Sequence, residues 1–298
     1  MCRLFGFRSN VQSSSHRSLV EAENAVARQA TIHPHGWGIG WFTGSDAYVL
    51  RSDGPAAESR TFRKASERLR SETFVVHVRR ATVGEVNQLN LHPFRCGRWL
   101  MAHNGTIFGF SEGLRDRMLA DTLPELAALI LGTTDSEHLF YFLLSAVRRA
   151  GFDLHQAIEP DAVRFGETIS EALGQIYAWA LEDDVVAPIL NVILTDGEVF
   201  VAQRAGKELF LATQKKVCGE SETCPEVDKV CLLDARPHSK VNHLIVASEK
   251  IGEEDLWEEV LQGQMLVLDA DFHLHFLGPP PNFSVPEVLP AMPVPKSA

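Results

Sequence analysis

The chain has 298 residues, 45% apolar and 22% charged, a globular balance that excludes a fully disordered chain, a collagen-like one and a disulfide miniprotein. Lys and Arg number 28 against 39 Asp and Glu, a formal charge of −11, which argues against a nucleic-acid partner because duplex-binding surfaces carry a basic footprint. No stretch reaches the ~18 consecutive apolar residues of a membrane span, and residues 1–8 lack the basic region and apolar core of a signal peptide. The five cysteines, an odd number, read as reduced thiols in a cytoplasm.

The spacing predicts a short apolar strand over 3–8. A helix follows over 14–30, where Leu19, Ala22, Val26 and Ala30 recur at helical intervals behind a serine cap. Trp37, Ile39 and Trp41 alternate, Gly44-Ser45-Asp46 turns the chain and 47–51 returns, which describes a hairpin. Strands are expected over 74–80 and 98–102, then helices over 123–131, 136–150 and 167–181. Asp196-Gly197 is a strong hairpin turn signal between strands over 191–194 and 199–203. Further strands are expected over 208–212 and 243–247, with a last hairpin joining 265–268 to 272–276. The acidic run over 253–259 reads as a solvated helix face. Strands fall in groups with helices between the groups, which fits packed antiparallel sheets with helical layers better than a βαβ alternation. The last 20 residues hold 7 of the 15 prolines, so residues 2–278 read as one domain and 279–298 as a Pro-rich tail or surface strap.

Cys2 is the most informative residue. A penultimate Cys is small enough for Met1 to be removed, which would place a thiol of pKa about 8.5 and an α-amine of pKa about 7.7–8.0 on one residue. The amine then serves as general base while the thiolate attacks a carbonyl. In a strand His77 and Arg79 share one face, and an Arg ending an apolar strand suits a substrate carboxylate; an ordinary surface ion pair is the plainer alternative. His103-Asn104-Gly105 follows a strand, where Asn-Gly ordinarily turns. The functional alternative uses the Asn104 amide and the Gly105 N–H as two oxyanion donors. Asp135 suits a helix N-cap or a carboxylate facing a substrate ammonium. Cys218, Cys224 and Cys231, with His238 and His243 downstream, lack the close Cys pairs of structural zinc sites. The pairs His33/His35 and His273/His275 suit loops or surface. No metal and no cofactor is therefore expected, and no Gly-x4-Gly-Lys phosphate loop is present to activate an acceptor with ATP.

The segments Met-Cys-Arg-Leu-Phe-Gly (1–6), His-Gly-Trp-Gly-Ile-Gly (35–40), His-Val-Arg-Arg-Ala-Thr-Val-Gly (77–84), Leu-His-Pro-Phe (91–94), His-Asn-Gly (103–105) and Thr-Asp-Ser-Glu (134–137) occur in that order. Together they resemble the class II glutamine amidotransferase domain over roughly residues 2–255. The resemblance is to an N-terminal-nucleophile hydrolase, and to small stand-alone members such as the γ-glutamyl hydrolase of ergothioneine biosynthesis. It implies an α+β fold, a four-layer αββα sandwich of two antiparallel sheets. It implies Cys2 as nucleophile, Asn104 and Gly105 as oxyanion hole, Arg79 on the substrate α-carboxylate, Thr82 and His103 in the same pocket, and Asp135 on the α-ammonium. The expected reaction is hydrolysis of the γ-amide of glutamine or a γ-glutamyl compound through a Cys2 thioester. Two alternatives stay open: a glutaminase subunit delivering ammonia to a separate synthase, and an N-terminal-Cys amidase of acylase type. His35 stands where many stand-alone members carry an acidic residue. After residue 278 only the Pro-rich tail follows, without a synthase domain.

Overall fold

The computed structural model describes residues 2–30, 35–80, 87–158, 161–215 and 239–285. Its first sheet takes β1 (Arg3–Ser13), β2 (Trp37–Thr43), β3 (Asp46–Ser52), β4 (Ser71–Val78), β9 (Phe210–Ala212), β11 (His243–Ala247) and β12 (Glu258–Glu259). Their order across the sheet is β12-β9-β11-β1-β4-β2-β3. The second takes β5 (Phe94–Cys96), β6 (Trp99–Thr106), β7 (Ile189–Thr195), β8 (Phe200–Gln203), β10 (Ser239–Lys240), β13 (Met265–Leu268) and β14 (His273–Leu277), in the order β10-β14-β13-β8-β7-β6-β5. Neighbours pair antiparallel in both sheets.

Strand alternation sorts the apolar side chains into three layers. Leu4 of β1, Val75 of β4, Leu100 and Ala102 of β6 and Ile193 of β7 meet between the sheets. Phe5, Phe74, Val76, Trp37 and Ile39 face outward from the first sheet. They pack under a π-helical turn (Arg17–Glu21), α1 (Val26–Gln29) and α2 (Arg60–Arg68). Trp99, Met101, Val192 and Leu194 face outward from the second sheet. They are covered by α3 (Leu114–Ala120), α4 (Pro124–Ala127), α5 (Asp135–Arg149) and α6 (Ala162–Glu182). Helix, sheet, sheet and helix thus stack as an αββα sandwich, as the sequence resemblance implies. Fully buried aromatics such as Trp37, set edge-on to Phe62 at 5.0 Å, each contribute about 1.5–3 kcal/mol to holding the layers together. The sheets approach closely because β2 places Gly38 on the inner face, where a Cβ would lie 2.0 Å from the His92 carbonyl oxygen.

Several local expectations need correction. The helix expected over 14–30 is broken, because Ala22 and Ala25 are extended. Asn24 between them is tied to the loop after β11 by its N–H to the Ile251 carbonyl and by its side-chain amide to the Lys250 carbonyl. The helix expected over 123–131 is helical only at Pro124–Ala127. The acidic run over 253–259 is not a helix face. It ends in an exposed edge strand, β12 on β9, where paired glutamates discourage further strand addition. The helices α2 and α3 were not anticipated, since α2 buries only Phe62 and Ser66 and α3 only Leu114 and Met118. The Asp196-Gly197 hairpin forms as expected: Asp196 Oδ1 accepts from the N–H groups of Glu198 and Val199, and Gly197 takes φ +98°. Beyond the last strand, Pro281 packs over Gly174 and Phe283 sets its ring against Tyr177. Cys218, Cys224, Cys231, His238 and His33 lie outside the described residues. Among the described residues no three His, Cys, Asp or Glu side chains group as a metal site, and no helix is long and apolar enough to cross a membrane.

Buried histidines tie stability to pH, His243, His103 and His92 among them. Burial pushes the His243 imidazole down to about 3, helped by the Lys215 charge. Burial lowers His103 and, further, His92, which also faces His77, His103, Arg79 and Arg51. On unfolding each group regains its ordinary affinity for protons, so the unfolded chain binds more protons below pH 6.5. Stability is complete above that value and falls as pH drops towards the folded values, by up to about 1.4 kcal/mol per pH unit for each histidine. Urea midpoints should fall between about pH 7 and about pH 5, and His243→Leu should make the dependence shallower. A midpoint insensitive to pH over that range would contradict this.

Candidate active site

The site forms where the first residues of β1 meet the end of β4. The register pairs Arg3 with Val78 and Leu4 with His77, so one further step places Cys2 beside Arg79. The Cys2 Sγ accepts from the Arg80 N–H at 3.2 Å and lies 3.4 Å from the Arg80 carbonyl oxygen. Arg79 is buried, its N–H donating to the Gly36 carbonyl and its own carbonyl accepting from the His35 N–H. The guanidinium lies within electrostatic reach of Cys2 and Asp135. Burial lowers its pKa and those two groups oppose the shift.

The second sheet supplies the facing wall through β6. Leu100 and Ala102 point between the sheets, so Asn104, on the same strand face, points at the first sheet. Its Nδ2 donates to Ser248 Oγ at 3.1 Å, and that oxygen also accepts from the Leu4 N–H at 3.0 Å. A single hydroxyl thus connects Asn104 to the backbone two residues from Cys2. Asn-Gly does not turn here: both residues lie within β6 and pair with Asn191 and Leu190 of β7. Gly105 is required by space, since a Cβ would lie 1.8 Å from the Ile189 carbonyl oxygen and 2.2 Å from His103 Nε2.

His103 takes the opposite strand face and points towards α5. Its Nε2 donates to the Ile189 carbonyl at 2.8 Å, which leaves Nδ1 as the acceptor for the Ser136 hydroxyl at 2.9 Å. Both ring nitrogens are thus committed within the protein. Through Nδ1 His103 contacts Ser136, the neighbour of Asp135. Asp135 is the first residue of α5, and the N-cap is Thr134, whose Oγ1 accepts from the Glu137 N–H. The Asp135 carboxylate accepts from the Ile107 N–H and the Ser136 N–H, each at 2.8 Å. The helix N-terminus stabilises its charge.

Cys2, Arg79, Asn104, Gly105 and Asp135 are therefore brought together, while Thr82 lies outside the described residues. Sequence reasoning missed Ser248 and Lys207. Lys207 lies on the loop between β8 and β9, and its Nζ donates to Asn104 Oδ1 at 3.3 Å. Burial lowers the pKa of this ammonium against the opposing pull of Cys2 and Asp135. Neither residue has a local sequence signal, because each reaches the site from a distant strand end.

A half-buried thiol, a buried cation and anion and an amide donor lie around one space, the set of groups an amide hydrolase needs. Residues 1–281 match the family described as class-II glutamine amidotransferases, and the chain belongs to that family. A probable glutamine amidotransferase of Saccharomyces cerevisiae is 28% identical over 225 residues, 72% of this chain and 62% of that protein. A gamma-glutamyl-hercynylcysteine sulfoxide hydrolase of Mycobacterium tuberculosis is 35% identical over 81 residues, 27% of this chain and 35% of that protein. The solved class-II domain protein of Silicibacter pomeroyi shares the fold with a TM-score of 0.62 at 18% identity, over 94% of this chain and 99% of that one.

Gly105→Ala should destabilise the protein by at least about 2 kcal/mol, because the added methyl must displace backbone. Urea unfolding checks this, and an unchanged midpoint would contradict the close approach.

Proposed function

We propose that the protein hydrolyses the γ-amide of glutamine or of a γ-glutamyl compound through a γ-glutamyl thioester on Cys2. The observation that carries this reading is that the Cys2 thiol, seated on the Arg80 backbone, and the Asp135 carboxylate both lie within electrostatic reach of the buried Arg79. A γ-glutamyl head group carries one carboxylate, one ammonium and one reacting carbonyl, and needs a partner for each. Arg79 takes the α-carboxylate in a charge-assisted pair, a role the family resemblance extends to Thr82, and Asp135 takes the α-ammonium. His103 contributes by holding the Ser136 hydroxyl, while the Ser136 N–H donates to Asp135.

With Met1 removed, the Cys2 α-amine accepts the thiol proton and the thiolate adds to the amide carbonyl. The second Nδ2 hydrogen of Asn104 and the Gly105 N–H receive the oxyanion. The C–N bond breaks as the ammonium returns its proton to the leaving amine, giving ammonia or an amine and the thioester. The amine then takes a proton from water, hydroxide adds to the thioester carbonyl, and the C–S bond breaks to release glutamate and the thiol. A thiol nucleophile must stay reduced, and Cys2 and Cys96 are both free, which supports a cytoplasmic setting. The similarity to a γ-glutamyl hydrolase over 81 residues supports hydrolysis as the outcome rather than delivery of ammonia to a synthase.

Cys2→Ala should abolish glutamate release from L-glutamine and from γ-glutamyl amides. Persistence of release would exclude the thioester route. Asp135→Asn should raise KM about 10–100-fold, the value of one charged hydrogen bond. An unchanged KM beside full dependence on Cys2 would favour an acylase-type substrate without an amino-acid head group.

A further inference from the structure

The loop between β8 and β9 is held in place more firmly than a connection requires. Asn191 of β7, fully buried, accepts through Oδ1 from the N–H groups of Ala205 and Lys207, each at 3.0 Å, and returns Nδ2 to the Lys207 carbonyl at 3.0 Å. Arg204 Nε donates to the same carbonyl at 3.1 Å, and Gly206 takes φ +112° to let the chain turn. Asn191 is also the strand partner of Asn104. This buried amide therefore fixes the loop directly beside Asn104, and the loop sends Lys207 Nζ back to Asn104 Oδ1.

An Asn side chain has two ends of nearly equal shape, and only its partners decide which way it points. Ser248 cannot decide it. After accepting from the Leu4 N–H, its hydroxyl keeps one hydrogen and a lone pair, so it pairs with either end of the amide. Lys207 has three donors and no acceptor, so only Oδ1 suits it. A flipped Asn104 would present an acceptor to a developing oxyanion, which repels it.

We propose that Lys207 is a positioning residue for the oxyanion hole: its ammonium holds Asn104 Oδ1, so that Nδ2 is the end left for the reacting carbonyl. The inference rests on Asn104 serving as the oxyanion donor. Other charged groups facing Lys207 are Cys2, Asp135 and Arg3. Of these, Arg3 is engaged by Glu249.

The test is a double-mutant cycle on steady-state glutamate release from L-glutamine with the full chain. Lys207→Met should lower kcat by about 10²-fold, comparable to loss of one oxyanion donor. KM should stay within about threefold. In the Asn104→Ala background, Lys207→Met should cost nothing further, because the group it positions is gone. Urea midpoints of the variants report folding separately. A Lys207→Met loss that multiplies with that of Asn104→Ala, or that appears in KM, or no loss at all, overturns the proposal. If Lys207→Met does not fold, Lys207→Arg, whose head also only donates, completes the cycle. It should hold kcat within about tenfold of wild type, and a full loss in a folded protein overturns the proposal. Glutamate release that survives Cys2→Ala would instead remove the mechanism on which the inference rests.

Discussion

The structure depends on one hydroxyl that joins two sheets. Ser248 follows β11 in the first sheet, accepts from the Leu4 N–H, and accepts again from Asn104 of the second sheet. Its own N–H donates to the Leu4 carbonyl. The start of β1 is thereby fixed against both the neighbouring strand and the opposite sheet. Cys2 lies just before that anchor, so the position of its thiol relative to Asn104 is set by backbone and buried hydrogen bonds rather than by a loop. Rigid elements hold reacting groups more closely than mobile ones, and positioning of this kind accounts for much of the barrier an enzyme removes.

Charge burial is the second constraint. Arg79 and Asp135 are buried and Lys207 is half-buried near Cys2, and charges taken out of water are costly unless paired. The arrangement offsets the cost by pairing signs: Asp135 opposes the lowering of both cations, and two backbone N–H groups and a helix N-terminus support its own charge. His103 adds no charge. Its Nε2 hydrogen is fixed by a carbonyl and burial lowers its pKa, so it stays a neutral strut between β6, β7 and α5. A zwitterionic head group entering this space meets charges that are already oriented, and little reorganisation remains for the reaction.

Much of this was legible in the sequence, for identifiable reasons. The hairpins at Gly44-Ser45-Asp46 and Asp196-Gly197 are local events with turn chemistry of their own, and both form. The strand over 243–247 carries the apolar run Leu244 to Ala247 and is found with those bounds. Cys2, Arg79, Asn104, Gly105 and Asp135 stand out because each belongs to a short segment whose order is itself a signal. What was not legible is non-local. The helix over 14–30 has the right period, yet Asn24 finds partners 226 and more residues away that unwind it. Lys207 looks like any loop lysine until Asn191 and Asn104 are seen as neighbours on paired strands. His103, expected in the substrate pocket, lies on the strand face opposite Asn104. Adjacent strand residues face opposite ways, and the inter-sheet face of β6 belongs to Asn104.

The central claim is that Cys2 carries the γ-glutamyl group during turnover. The most direct measurement is to mix the protein, shown by intact mass to begin at Cys2, with L-glutamine, quench in acid, and map adducts by peptide mass spectrometry. An adduct of the mass of one γ-glutamyl group, confined to the peptide that starts at Cys2 and cleared by hydroxylamine, is the expected result. Steady glutamate release from the same sample, with that peptide unmodified at every quench time and after pre-steady-state sampling, would contradict the account.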